Sequence, residues 1–386
     1  MPSRSSLAMM PHVRPTAQKP RISFLCVLIV TIGSGCAEPQ FNPIPTVSET
    51  DSLGPVVQLT TDFDRAGEAY FSHDMNWIIF QAVPHGEKQL QMYVAPFQHN
   101  GDVLNIAQPV RISPSNLRSN DGSFSPDENS LIFASMAARQ STTTGSTGSQ
   151  QAGRDFHWSI PSGMEIFRAD GWAAAVAALQ PEESLNLAQH PLTNNEFYNA
   201  ECSYSPDGRW ICFTSNRTGD LDVYVMRADG THVVQITKTP GYDGDAFFSP
   251  DGKRLVYRSD RKLDGLLQIF VGTLMFDANG DITGLASEQQ LTHDTSVNWQ
   301  PYWHPDGNHI VYSTSMLDPS NPGTTNYELY LMRADGSHKT RLTFSPDFDG
   351  QPAFSPDGNY LMWTSKRTAN HAPQIFIARF HMPPGT

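Results

Sequence analysis

The chain has 386 residues, of which 17% are charged and 39% hydrophobic, with 28 Gly and 29 Pro. Its formal net charge is −13. That balance excludes a nucleic-acid binder, which needs a basic surface, and the Gly and Pro content suits a turn-rich, globular, all-β protein.

The first 35 residues hold four basic residues (Arg4, Arg14, Lys19, Arg21) and no acid. Without them, 22 basic residues face 39 acids, a net of −17. An apolar run, FLCVLIVTIG, covers 24–33 and is too short to cross a bilayer as a mature helix. The GSGC that ends at Cys36 resembles the lipobox of bacterial lipoproteins, with Gly33 where Leu is usual. That resemblance implies a signal peptide over 1–35, lipidation of Cys36, and an anchor in the outer membrane because Ala37 follows the Cys. The alternative is an ordinary signal peptide with an incidental Cys. Residues 36–54 are polar and Pro-bearing, the composition of a flexible tether.

From 55 onward one unit recurs six times. Each copy opens with a short segment closing on Thr60, Ser113, Thr193, Thr237, Thr292 or Thr343. A loop follows, then a hairpin signal: FSHDMN, FSPDEN, YSPDGR, FSPDGK, WHPDGN and FSPDGN. An alternating strand completes it, as in LDVYVMRADG and YELYLMRADG. Pro presets the backbone for a tight turn, Asp bonds locally, and Gly accepts a left-handed conformation. A three-residue loop with Gly in that conformation is expected. Met75 and Glu128 replace Gly in the first two copies, and there Asn76 and Asn129 are expected in the left-handed position. Four short antiparallel strands per copy cannot bury both faces of one sheet alone. Packing six such sheets around an axis buries them all, which is a six-bladed β-propeller. The chain opens on an outer-type strand at Val56 and ends on a third-type strand near Phe380, so the first strand should complete the last blade. A two-sheet sandwich is the alternative. Between the second and third hairpins, about 137–187 holds a low-complexity stretch and a segment that reads as a short helix, GWAAAVAALQPEESLNL, both expected as insertions in blade two.

The repeat over 55–380 resembles the propeller of TolB and its relatives, a fold also found in prolyl oligopeptidases and oligogalacturonate lyases. The resemblance implies a propeller domain over 55–386 in an extracytoplasmic protein. TolB carries an α/β domain before its propeller, where this chain has about 18 tether residues, which puts a Tol–Pal role in doubt. No Gly-x-Ser-x-Gly elbow occurs, and the histidines form no metal-binding motif. An enzyme acting on an extracellular polymer, as the lyases do, would need groups converging from several blades.

Aligning the copies on the hairpin places Glu68, Asp121, Glu201, Asp245, Gln300 and Gln351 at one position near the start of each inner strand. Two residues earlier stand Asn199, Asp243, Asn298 and Asp349. Inner strands line a propeller's channel, so a ring of carboxylates and amides is expected at the channel mouth on the side of the outer-to-inner loops. Two readings compete. The ring binds a cationic ligand, a basic peptide of an envelope protein, or a divalent cation such as calcium held by Glu68, Asp121, Glu201 and Asp245. Alternatively, the acids cap strands and pair with Arg217, Arg261 and Arg367. The sequence favours a monomeric, non-catalytic binding or scaffold module, with an enzyme or a Tol–Pal component as rivals. A three-residue loop would set Cys202 opposite Cys212, close enough for a cross-strand disulfide; two buried free thiols are the alternative.

Overall fold

The computed structural model describes Glu49, 51–100, 103–136, 160–161, 163–179, Leu185, 189–315 and 326–386. The signal-like segment, Cys36, most of the tether and much of the blade-two insertion lie outside these residues. No helix among the described residues is long and apolar enough to cross a membrane.

Six antiparallel sheets follow one another along the chain, and each supplies one blade. The inner strands are Phe63–Phe71, Ser119–Phe124, Asn199–Tyr204, Asp243–Phe248, Asn298–Trp303 and Asp349–Phe354. Each leads through the hairpin into a second strand, then a third, then an outer strand, which is two or three residues long in five blades and nine, Ile282–Gln290, in blade four. The ring closes as the strand offset predicts: Val57 and Gln58 pair with Ile377 and Phe376, making the chain's first strand the outer strand of blade six. Leu53 bridges Phe380 just beyond.

The core lies between blades. One hydrophobic cluster fills each of the six blade interfaces, such as Trp210, Cys212 and Val225 of blade three against Phe248, Leu255 and Tyr257 of blade four. Every strand's apolar face therefore meets a neighbouring sheet, which is what a radial arrangement achieves for sheets too small to fold alone. In blade two the expected helix forms over Trp172–Ala178. Its fully buried Trp172 stacks edge-on against Trp77 of blade one, and its indole N–H donates to Glu128 O at 3.0 Å.

The recurrent Thr has a specific cause. The hydroxyl oxygens of Thr60, Ser113, Thr193, Thr237, Thr292 and Thr343 each accept a third-strand N–H at 2.9 Å. The side chain thus supplies an acceptor to the third strand at the point where the outer strand's backbone ladder ends.

The hairpins depart from expectation in two ways. Ser205 N donates to Trp210 O and Gly208 N to Ser205 O, so the loop holds four residues, 206–209, rather than three. The Ser hydroxyl tightens it by donating to Asp207 Oδ1 at 2.6 Å and accepting Trp210 N at 2.9 Å. In the two Gly-free hairpins the left-handed residues are Met75 (φ 58°) and Glu128 (φ 60°), not Asn76 and Asn129. Those asparagines instead donate to Asp74 and Asp127. The strain at Met75 is offset by burial of its side chain, and at Glu128 by a carboxylate that accepts His73 N.

The longer loop shifts the register by one, and Cys212 pairs with Ser203. Cys202 falls inside a bulge between Ala200 and Ser203, and its side chain enters the interface with blade two while Cys212 enters that with blade four. Both are buried free thiols. The Cys202–Cys212 disulfide is therefore not formed, because the two side chains leave opposite faces of the sheet.

Candidate functional site

Every inner strand carries the same irregularity. Glu68, Asp121, Glu201, Asp245, Gln300 and Gln351 all adopt a left-handed backbone, with φ between 50° and 56°. In each blade a register shift falls at this point, as between Gly244 and Phe247 in blade four. A bulge of this kind re-aims a side chain and frees the local backbone. The freed N–H groups reach the neighbouring blade: Glu201 N donates to Asp121 Oδ2 at 3.0 Å, Asp245 N to Glu201 Oε2 at 2.8 Å and Gln351 N to Gln300 Oε1 at 3.0 Å. Blade six closes onto blade one through Gln351 Nε2, which donates to Glu68 Oε2 at 3.0 Å. The aligned residues thus form a real ring that also links blades.

Its charge is not the four-fold anion the alignment suggests. Burial pushes the Glu68 carboxyl well up, and the field of Asp121 adds to the effect. Burial also raises Asp121. Asp245 is raised to about 7, again by burial, against the opposing pull of Arg258. Arg258 is the cation of the ring. It is buried in the second strand of blade four, with Nη2 2.8 Å from Glu201 Oε1 and Nη1 3.1 Å from Asp245 Oδ2. Its guanidinium also contacts the Tyr242 hydroxyl, which donates to Glu201 Oε1 at 2.6 Å. The residues at this second-strand position in the other blades are Gln81, Ala134, Thr214, Ser313 and Thr364, paired one residue before the ring position. A lone Arg in that series is the signal the sequence carried.

The arginines expected as partners serve a different row. Arg261 lies 3.7 Å from Asp243, Arg367 lies 2.7 Å from Asp349, and Arg217 donates to Asn199 Oδ1 at 2.8 Å. Asp243, Asn199, Asn298 and Asp349 have no exposed surface. Burial raises both Asp243 and Asp349 to about 6, partly countered by Arg261 and Arg367 respectively. Asp243 and Asp349 tie strand starts to the segment after the second strand and do not face the channel cavity, contrary to the expectation for the mouth.

The ring is also not at a mouth. Tyr198, Tyr242, Val297, Trp299 and Tyr327, with Phe348 against them, belong to one cluster on the side of the outer-to-inner loops, which Ala134, Met136 and Met164 extend into blade two. The cavity lies on the opposite side. It measures about 250 Å³ and runs from Glu68, Asp121, Glu201 and Asp245 to the hairpin residues His73, Pro206, Pro250, Pro305 and Pro356. The acids form its inner end and the hairpins its rim. Between them lies the layer two residues after the ring: Tyr70, Phe247 and Tyr302 from blades one, four and five. Their ring centroids are 4.9–5.9 Å apart. The small Ser123 and Ser203 stand at the same position in blades two and three, so the cavity is walled by aromatics on one side and hydroxyls on the other. The alignment contained this layer, but attention to charge alone passes over it.

Among the described residues no group of three or more His, Cys, Asp or Glu is placed to hold a metal ion. The calcium site expected at Glu68, Asp121, Glu201 and Asp245 is not formed, because those carboxyls are already engaged by Gln81, Asn120, Thr214 and Arg258. A hard cation needs several oxygens free to converge.

Residues 184–283 match the family described as TolB beta propeller domain. Over 176 residues the chain is 33% identical to a TolB homolog of Chlorobium luteolum, covering 44% of this chain and 34% of that protein. The matched regions span about two-fifths or less of the curated relatives' lengths. A putative TolB from Agrobacterium tumefaciens superposes with a TM-score of 0.50 at 18% identity, covering 82% of this chain and 91% of that one. An oligogalacturonate lyase from Vibrio parahaemolyticus also gives 0.50, at 14% identity, covering 86% and 95%. At such identities both structures bear on the fold alone. With the repeat, the six closed blades and the family match in agreement, the chain is a TolB-like six-bladed β-propeller.

Proposed function

We propose that this protein is a non-catalytic, extracytoplasmic binding propeller, lipid-anchored through Cys36, that takes a cationic group of an envelope protein partner into its central channel from the hairpin face. The observation that carries the reading is the cavity itself: three aromatic rings leading to buried carboxyls. An ammonium or guanidinium head gains from aromatic faces when desolvated, and a carboxylate away from bulk water attracts it more strongly than one at the surface. A Lys or Arg side chain presented on a loop or terminus would have its apolar stem against Tyr70, Phe247 and Tyr302 and its head near Asp245. Because Asp245 ionises around pH 7, affinity for the cation rises from pH 5 to pH 8.

The test uses butylammonium and N-acetyl-arginine amide as probes in calorimetric titrations, alongside crosslinking and mass spectrometry of partners in the native envelope. Binding by the parent protein, weakened in Tyr302→Ala and in the Glu201→Gln, Asp245→Asn double variant, with loss of the same crosslinked partner, supports the proposal. Absence of probe binding together with an unchanged partner set in both variants overturns it.

A further inference from the structure

The six-fold repeat lets each position be compared within one chain, and one position breaks its own pattern. Three residues before the ring stand Tyr198, Tyr242, Val297 and Phe348 in blades three to six, all in the cluster on the loop side. Blades one and two place Arg65 and Arg118 there instead. Neither side chain forms an ion pair, hydrogen bond or ring contact with a described residue, whereas the side chain of every other described arginine has at least one such partner. The Nε of Arg118 is shielded from solvent and has no acceptor. Partial desolvation of the surface-exposed Arg65 and the nearby Arg118 guanidinium both make its charge harder to hold, so the two side chains sense each other. The acid closest in effect to Arg118 is Asp121, whose pKa it lowers, but Asp121 Oδ2 already accepts Glu201 N and Asn120 Nδ2.

We infer that Arg65 and Arg118 form an oxyanion site on the loop-side face, opposite the mouth of the central cavity. Two adjacent guanidiniums repel until an anion lies between them. Their planar forks match a carboxylate or a phosphate, each able to accept paired N–H donors. A shielded N–H with no acceptor is costly to leave unmade, and a bound oxygen would satisfy it. The net charge of −13 means that anions are not drawn to this protein in general, so binding would be local to this pair. The site shares no residue with the cavity, so it stands or falls independently of the channel's function.

The experiment titrates inorganic phosphate and, separately, acetate into the full protein, with sodium chloride at matched ionic strength as control. The readout is the shift of backbone and Arg Nε signals by NMR. A saturable shift at the two arginines, weakened at least about tenfold in Arg65→Gln and abolished in the Arg65→Gln, Arg118→Gln double variant, is expected. Arg65 is exposed, so the single variant keeps the test valid should the double variant fold poorly. The two probes separate tetrahedral from planar ligands. An Arg65→Lys, Arg118→Lys variant should lose most of the affinity, because lysine has no fork. Equal shifts with chloride, undiminished binding in Arg65→Gln, or full binding by the lysine pair would each overturn the inference.

Discussion

Replacing Asp245 with Asn tests the electrostatics of the ring without changing its shape. Asp245 is buried, and its carboxyl titrates near 7 in the folded protein against an ordinary value of 3.8. A raised carboxyl favours the protonated form on folding. Its contribution is therefore fully favourable below the unfolded pKa of 3.8 and is lost as pH rises through about 7. Integrating over that window, this one group should lower the stability of the parent by about 2–3 kcal/mol between pH 5 and pH 8. Asn cannot ionise, so the variant escapes that loss, and Arg258 keeps its 2.8 Å pairing with Glu201. Removing the charge also eases the field of Asp245 on Glu68, which acts in the same direction.

The assay is chemical denaturation of parent and Asp245→Asn at pH 5, 6, 7 and 8. The difference between the two stabilities should shift in favour of the variant as pH rises, with most of the change between pH 5 and 7 and a levelling off above the folded pKa of about 7. Taking the difference cancels every titration the two proteins share. Parallel stability profiles across this range would refute the assignment of a raised pKa to Asp245, and with it the account of the ring as mostly neutral around a single arginine.

Three further outcomes follow from the fold. A chain beginning at residue 61 loses the strand that closes blade six, the buried Leu53 and Leu59, and the 2.8 Å ion pair of Glu49 with Arg367; the two leucines alone should cost about 3–6 kcal/mol, and an unchanged melting temperature would contradict velcro closure of the ring. Arg258→Met should destabilise by about 3–5 kcal/mol at pH 8, because Glu201 and Asp245 are left buried without their cation, and by clearly less at pH 5, where Asp245 is already protonated; a pH-independent loss would point to packing alone. Thiol labelling of the unreduced, denatured protein should modify both Cys202 and Cys212, while the native protein should resist labelling because burial raises both thiols, Cys212 to about 12; a single unlabelled pair after denaturation would restore the disulfide.

The blade count, the ring closure and the six aligned residues were legible in the sequence because each rests on residue types with narrow physical meaning. Ser-Pro-Asp-Gly turns, Thr hydroxyls that finish a short outer strand, and a strand offset between the chain's ends all state their role locally. The errors lie where the backbone departs from what residue type predicts. Nothing about Glu, Asp or Gln announces a left-handed conformation, which costs an L-residue about 1–2 kcal/mol. Six such residues, one per blade, mean that the conformation belongs to the architecture. The bulge re-aims each side chain and exposes its N–H to the next blade. In blades one, three, four and six that N–H donates to a side-chain oxygen of the preceding blade or its strand, at 2.8–3.0 Å. Two of the acceptors are neutral (Thr364 and Gln300) and two are carboxyls; a net contribution of about 0.5–1.5 kcal/mol per ordinary hydrogen bond is comparable with the strain. The same bulge explains why Cys202 missed Cys212. It also makes the acids serve two ends at once: carbonyl-like acceptors for the neighbouring blade and the polar end of a cavity walled by Tyr70, Phe247 and Tyr302. What distinguishes the site is Asp245, raised to about 7 beside the aromatic layer of Tyr70, Phe247 and Tyr302, and the proposed recognition of an organic cation rests on that juxtaposition.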